Sequence, residues 1–226
     1  MSIADNLKRV ENAIEKACAR AGRTRDEVRL VAVSKTKPVD SILEALRAGQ
    51  MIFGENYVQE GLEKSRALPG AEWHFIGSLQ TNKVKQISGV FELIHSVDRL
   101  KLAQEISKVA SAAGREQSLL MQVHVGDEAT KHGVSFSEAP ALIEAILSLP
   151  GLRLRGLMAL PPLTESEFIA RKAFALVRES ADRWRREFGL ADFAELSMGT
   201  SSDYAWAIQE GATLVRVGTS IFGARE

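Results

Sequence analysis

The sequence predicts an α/β protein: a single (β/α)8 barrel of the TIM type with an extra N-terminal helix. Eight short apolar segments alternate with amphipathic helical segments, a pattern typical of a parallel sheet. The 226 residues fall within the roughly 200–250 residues that such a barrel needs. No linker-like or low-complexity segment interrupts the chain, so we expect one domain over residues 1–226. An open doubly wound sheet is the alternative arrangement of the same elements.

The N-terminal segment predicts a helix that ends at Gly22. Its apolar residues recur at steps of three and four, which places them on one face: Ile3, Leu7, Val10, Ile14, Ala17 and Ala21. The apolar repeat covers only about three heptads, too few to argue for a coiled coil. We therefore expect this helix to pack against the body of the protein.

The eight apolar segments predict the strands in chain order. They are "RLVAVS", "MIFGE", "EWHFIG", "FELIHSV", "SLLMQVHV", "LRLRGLMAL", "FAELSMG" and "TLVRVG". Helical patterns lie between them, including one predicted to begin at an Asp98 N-cap and end at Gly114. Another is predicted to begin at Ser137, with Pro140 in its first turn.

Composition narrows the class of protein. Lys plus Arg equals Asp plus Glu at 29 each, so net charge gives no reason to expect a nucleic acid or an anionic membrane as partner. The single cysteine, Cys18, cannot form an internal disulfide and lies in an alanine-rich helical stretch, where we expect packing. The sequence shows neither a signal peptide nor a membrane span. We expect a cytoplasmic protein without a metal site.

Lys35 stands at the end of the first predicted strand, where a buried apolar run over residues 30–33 meets an ammonium group. The carboxyl ends of the strands form the reactive face of a (β/α)8 barrel. Partial burial there disfavours the charged form of a lysine, whose amine can then attack a carbonyl and form a Schiff base. A solvated or ion-paired lysine is the alternative, and it is the more common case for such a lysine considered alone.

Two Gly- and hydroxyl-rich loops follow the seventh and eighth strands, "SMGTSSD" and "VGTS". Backbone N–H groups and hydroxyls at helix starts bind anions, and these two loops often hold a phosphate in barrels. The alternative is that Gly199 and Gly218 form tight turns and that Ser201 or Ser202 caps a helix. Together, in these positions, the loops favour a phosphate site. We expect Asp203 to strengthen the helix start.

A lysine that faces a phosphate site suits an aldehyde carried on a phosphate, such as pyridoxal 5′-phosphate (PLP) or a sugar phosphate. Arg216 lies two residues before Gly218 and is predicted to point into the barrel mouth. PLP sites place either an acid or an arginine at the pyridine nitrogen. An arginine only donates, so it keeps that nitrogen unprotonated and weakens the ring as an electron sink. The alternative for Arg216 is a salt bridge at the rim.

Several motifs resemble the YggS/PROSC family of PLP homeostasis proteins, over residues 3 to 225. They are "AVSKTKP", "FGENYVQE", "WHFIGSLQTNK", "LRGLMAL" and "VRVGTSIFGAR". The resemblance implies a barrel like the N-terminal domain of alanine racemase, with PLP bound to Lys35 as a Schiff base. It implies phosphate contacts from Ser201, Ser202, Gly218 and Thr219, and Arg216 at the pyridine nitrogen. It also implies a pocket lined by Asn56, His74 and Met158. Thr200 departs from the methionine expected there in many members.

The resemblance implies a role in the supply of PLP and in amino-acid balance, without an established reaction. No further β-domain is expected after the eighth strand, and neither Tyr57 nor Tyr204 is placed in the sequence as a second base. We therefore expect no catalytic residue and favour a monomeric carrier that passes PLP to apo forms of PLP-dependent enzymes. A slow PLP-dependent amino-acid racemase is the alternative, and a Schiff-base aldolase is a third reading.

Overall fold

The computed structural model describes residues 2–126, 133–162 and 164–223. Its eight strands pair in parallel and in chain order, and β1 pairs with both β2 and β8. The strands are Arg29–Val33 (β1), Ile52–Glu55 (β2), Glu72–Phe75 (β3), Leu93–Val97 (β4), Gln117–Val123 (β5), Leu152–Ala159 (β6), Glu195–Ser197 (β7) and Leu214–Val217 (β8). The pairing of β1 with β8 closes the sheet, so the predicted (β/α)8 barrel is confirmed and the open sheet is excluded.

Helices surround the barrel. Within the described ranges they are Ile3–Arg20 (α1), Val39–Arg47 (α2), Val58–Ala67 (α3), Val84–Ile87 (α4), Leu100–Ala112 (α5), Ala139–Leu147 (α6), Glu167–Glu187 (α7), Tyr204–Gln209 (α8) and Thr219–Phe222 (α9). The short α9 follows β8, and α1 packs against α2, α8 and α9. The N-terminal helix therefore fills the place between the helices that follow β7 and β1.

Helix α1 begins and ends on local signals. The Ser2 hydroxyl accepts a hydrogen bond from the Asp5 N–H, and the Asp5 carboxylate accepts one from the Ser2 N–H, forming a capping box. The helix ends at Arg20, and Gly22 adopts a φ of +66°, which favours glycine. The predicted helix and its end at Gly22 are confirmed.

Two helix starts differ from the sequence prediction. Helix α5 begins after Arg99, not after Asp98, because the Asp98 carboxylate accepts a hydrogen bond from the Arg99 guanidinium instead of from the helix N–H groups. The Arg99 guanidinium also donates to the Leu79 carbonyl. Helix α6 begins at Ala139, two residues later than Ser137, with Pro140 still in its first turn.

The core has two apolar layers. The larger lies between the strands and the helices and includes fully buried Phe53, Phe75 and Trp184. The smaller lies inside the barrel and consists of Val31, Leu93, Leu120, Met158 and Leu214. Cys18 is buried in the larger layer, as predicted. The inner cluster fills part of the barrel interior with packed side chains.

Strand β6 requires a glycine at position 156. Gly156 has a φ of +150°, and a Cβ there would lie 2.0 Å from the Glu195 carbonyl oxygen of β7. The register between β5 and β6 shifts next to this residue, between Leu119 and Leu120. Gly156 therefore allows β6 and β7 to approach each other where the barrel bends.

Among the described residues, no helix combines the length and the apolar character that crossing a membrane requires.

Candidate functional site

A cavity of about 590 Å³ opens at the carboxyl ends of the strands. Seven of the nine predicted site residues line it: Lys35, Asn56, Ser201, Ser202, Arg216, Gly218 and Thr219. Val33, Ile76, Leu160 and Thr200 complete its described lining. Residues from six strands thus converge at one mouth of the barrel, as expected for side chains at the same end of parallel strands.

His74 and Met158 lie deeper than the resemblance implied, and neither is among the described residues that line this cavity. His74 is fully buried, and Met158 belongs to the inner apolar cluster. Each lies two residues before a lining residue, Ile76 or Leu160, on the same strand or its extension. Because side chains repeat every two residues along a strand, His74 and Met158 face the same interior one layer further down.

The loops after β7 and β8 meet, as the sequence predicted. The Gly218 N–H donates to the Ser201 Oγ at 3.2 Å, and the Arg216 N–H donates to the Gly199 carbonyl at 3.0 Å. Gly199 has a φ of +88°, and a Cβ there would lie 2.6 Å from the Ala207 side chain. Backbone and hydroxyl contacts therefore join the two loops into one wall of the cavity.

Asp203 braces the β7 loop and does not cap α8 through its side chain. Its carboxylate accepts hydrogen bonds from the Thr200 N–H at 2.6 Å and from the Thr200 Oγ1 at 3.1 Å. Thr200 thus uses its hydroxyl within the turn, which gives this departure from the family pattern a structural role. These hydrogen bonds fix the position of Ser201 and Ser202, which lie between Thr200 and Asp203.

Asn56 carries an unused acceptor into the site. Its Oδ1 is buried and has no hydrogen-bond partner within the described part of the chain. Its backbone is packed against Gly77, where a Cβ would lie 2.2 Å from the Asn56 carbonyl oxygen. A buried acceptor without a partner is costly, and a ligand that donates a hydrogen bond would relieve that cost.

Lys35 lines the cavity from a tight turn that follows β1. The Lys37 N–H donates to the Ser34 carbonyl at 3.0 Å, which closes the turn around Lys35. Thr36 has a φ of +64°, a conformation that β-branched residues rarely adopt. The Thr36 N–H donates to the Glu60 carboxylate at 2.5 Å. The residues on both sides of Lys35 are therefore fixed by contacts from elsewhere in the chain.

A second lysine, Lys64, holds this turn from below. Its Nζ donates to the Ser34 carbonyl at 2.6 Å, to Glu55 at 2.7 Å and to Glu60 at 2.6 Å. The Ser34 hydroxyl donates to the same Glu55 oxygen at 2.6 Å. All three protons of the buried ammonium are thus engaged. Burial raises the pKa of Glu55 despite hydrogen bonds from Lys64 and Ser34.

Arg216 is buried and held by two neutral acceptors. Its guanidinium donates to the Ser197 Oγ at 2.5 Å and to the Ala159 carbonyl at 2.9 Å. Neither partner is a carboxylate, so the alternative of a salt bridge at the rim is wrong for these contacts. Burial lowers the pKa of Arg216 to about 10, which leaves it protonated at neutral pH.

The groups that support Lys35 and Arg216 were not predicted from the sequence. The spacing of Glu60 and Lys64, four residues apart on a helix, was a visible signal for an ion pair. Glu55 ends the predicted strand "MIFGE", and its burial against Lys64 has no local signal. Ser197 and His95, which are 102 residues apart, are brought together by the closed barrel.

The chain is similar to known proteins over nearly its whole length. The model of a family described as alanine racemase, N-terminal domain, matches residues 6–226. The pyridoxal phosphate homeostasis protein of Aquifex aeolicus is 46% identical and covers 100% of both chains. The protein of the same name from Escherichia coli is 43% identical over 99% of this chain and 97% of its own. The chain belongs to the pyridoxal phosphate homeostasis protein family. PipY of Synechococcus elongatus, whose structure was solved with PLP bound, is 35% identical, with a TM-score of 0.86 over 98% of this chain and 100% of its own.

Proposed function

We propose that this protein binds PLP in the cavity at the carboxyl ends of its strands and takes part in intracellular PLP homeostasis. The observation that carries the proposal is the convergence of Lys35 and the β7 and β8 loops on one cavity. The PLP-bound structure of PipY, a full-length relative, supports the same cofactor. The names of the curated relatives support the role in homeostasis.

Lys35 would hold the cofactor covalently. When bound, PLP supplies an aldehyde on an aromatic ring. The Lys35 amine would add to the aldehyde carbon, and loss of one water would leave a carbon–nitrogen double bond without any oxidation or reduction. Lys64 is a poor competitor because its three protons are bound to Ser34, Glu55 and Glu60.

Four residues would hold the phosphate: Ser201, Ser202, Gly218 and Thr219. They lie on the two joined loops, and the described residues that line the cavity include no Asp or Glu. Hydroxyl and backbone N–H donors at this wall suit a phosphate dianion.

Arg216 would face the pyridine nitrogen. It lines the cavity and is protonated at neutral pH, so it donates and requires an unprotonated acceptor. An unprotonated ring withdraws electrons weakly, which disfavours racemisation. We therefore propose carriage or buffering of PLP, with effects on amino-acid balance, over the alternative of a PLP-dependent racemase.

The first experiment tests the covalent site. Purified protein is incubated with PLP, reduced with borohydride, digested and analysed by mass spectrometry. We expect one pyridoxyl group on Lys35 and none after Lys35→Arg. A pyridoxyl group on Lys37, or on Lys131, which lies outside the described residues, would contradict the assignment.

The second experiment tests carriage. Protein loaded with PLP is mixed with an apo PLP-dependent enzyme in the presence of a trap for free PLP, and recovery of that enzyme's activity is followed. We expect faster recovery than from an equal amount of trapped free PLP. Racemisation of an amino acid at about 1 s⁻¹ or faster would instead show that the protein is a PLP-dependent racemase.

A further inference from the structure

A chain of hydrogen-bonded polar side chains crosses the interior of the barrel from one mouth to the other. The Glu72 Oε1 lies 2.8 Å from the His74 Nε2, and the His74 Nδ1 lies 3.0 Å from the His95 Nε2. The His95 Nδ1 lies 2.9 Å from the Ser197 Oγ, which accepts from Arg216 at 2.5 Å. We call Glu72, His74, His95, Ser197 and Arg216 the relay.

The relay joins two separate cavities. Arg216 lines the cavity that contains Lys35, at the carboxyl ends of the strands. Glu72 lines a cavity of about 600 Å³ together with Arg29, Met51 and Glu92, at the amino ends of the strands. Between these ends, His74, His95 and Ser197 are almost completely buried. Apolar side chains usually fill this part of a barrel, so a buried chain of polar side chains here needs a specific reason.

The Glu72 end of the relay fixes its direction when both imidazoles are neutral. The Glu72 carboxylate only accepts, so each neutral imidazole donates toward it and accepts on its other nitrogen; the Ser197 hydroxyl therefore donates to the His95 Nδ1 while its oxygen accepts from Arg216. His95 then carries its proton on Nε2 and donates to the His74 Nδ1. His74 in turn donates from Nε2 to the Glu72 carboxylate, which only accepts. Every contact in the relay is satisfied, and each group donates toward Glu72.

The electrostatic setting agrees with this direction. Burial lowers the pKa of His95 well below its ordinary value, and the nearby charge of Arg216 acts in the same sense. The hydrogen bond from His74 lowers the pKa of Glu72, which keeps the terminal acceptor ionised. Hydrogen bonds that point the same way polarise one another, which strengthens the acceptor that Ser197 presents to Arg216.

We propose that His95, acting through Ser197, is a positioning residue for Arg216 and determines how its guanidinium faces the cofactor. This inference rests on the proposed role of Arg216 in the PLP site. His95 fixes the Ser197 hydroxyl as an acceptor, and Ser197 together with the Ala159 carbonyl holds the guanidinium at two of its nitrogen atoms. Without His95, the Ser197 proton loses its partner, the hydroxyl can rotate, and Arg216 is no longer aimed by it.

The first test needs no cofactor. Nitrogen-15 NMR of histidine-labelled, PLP-free protein reports which nitrogen of each imidazole carries the proton. The chain has four histidines, and His95→Asn and His74→Gln variants assign the two relay signals. We expect both to be neutral and protonated on Nε2. A His95 protonated on Nδ1, or an imidazolium at His74, would reverse the relay and overturn the proposal.

The second test measures the effect on the cofactor. We expect His95→Leu to change the nitrogen-15 shift of the pyridine nitrogen of bound PLP and to weaken PLP binding about tenfold, as for one misdirected hydrogen bond. His95→Asn places an amide near the position of Nδ1 and should restore both properties. Ser96→Ala is the matched control, because Ser96 is the neighbouring buried residue and its hydroxyl has no partner within the described chain.

The outcomes separate the two proposals. An unchanged pyridine shift and affinity in His95→Leu, with folding verified by circular dichroism, would overturn the positioning role. If that variant does not fold, Ser197→Ala takes its place, since it removes the same acceptor. Failure of the wild-type protein to bind PLP would contradict the proposed function, whereas the histidine measurement would still judge the relay by itself.

Discussion

Replacing Lys64 with methionine tests how the turn around Lys35 is held. Methionine preserves most of the side-chain volume but removes the charge and three hydrogen bonds. The side chains of Lys64 and Glu55 are only 5% and 0% exposed. Removing one partner of a buried ion pair typically costs about 3–5 kcal/mol, because the other charge remains uncompensated. At about 2–4 °C per kcal/mol for a chain of this size, Tm should fall by roughly 6–20 °C.

The assay is thermal and chemical denaturation, with Lys101→Met on the exposed face of α5 as the matched control. The double variant Glu55→Gln, Lys64→Met should recover much of the loss, because it removes the charge that Lys64→Met leaves unpaired. A Lys64→Met variant as stable as the Lys101→Met control would refute the reasoning. So would a double variant no more stable than Lys64→Met.

The pH dependence of Lys64→Met has a definite sign. Burial raises the pKa of Glu55 in the folded protein, so the folded state binds this proton more tightly than the unfolded state. The contribution of Glu55 to stability is therefore fully present below its unfolded pKa and is lost as pH rises through the folded value. Removal of Lys64 raises the folded pKa of Glu55 further. The deficit of Lys64→Met should shrink as the pH is lowered toward the ordinary range of a glutamate.

Two further predictions concern the strand contact at Gly156 and the phosphate loop. Gly156→Ala should destabilise the fold by about 3 kcal/mol or more, because the added Cβ meets the Glu195 backbone. The control is Gly22→Ala, whose Cβ meets nothing within 4 Å and which should cost only about 1 kcal/mol. Equal losses of unfolding free energy in denaturant titrations would contradict this prediction. Asp203→Ala should weaken binding of PLP about tenfold but barely affect binding of pyridoxal, which lacks the phosphate. Asp203→Asn should retain binding of PLP. An equal effect of Asp203→Ala on both ligands in fluorescence titrations would show that the loop does not hold the phosphate.

The strands, their order and the reactive end of the barrel can be predicted from the sequence. Hydrophobic patterns and glycine signals are local, so they identify elements such as β1 and α1 without knowledge of the fold. Parallel strands in a barrel present their carboxyl ends at one mouth, so Lys35, Ser201 and Gly218 could be expected to meet before any coordinate was known. The meeting of these residues at one cavity follows from that rule.

The depth of a side chain in the barrel and the identity of its hydrogen-bond partners depend on the tertiary structure. The stagger of strands in a closed barrel determines which residues share a layer, and it depends on pairings between distant segments. That stagger places His74 and Met158 one layer below the cavity, and it brings His95 into contact with Ser197, which lies 102 residues away. Lys64 reaches Ser34 across 30 residues for the same reason. A period of two tells which face of a strand a side chain occupies, but its height in the barrel and its partner there are set by long-range hydrogen bonding.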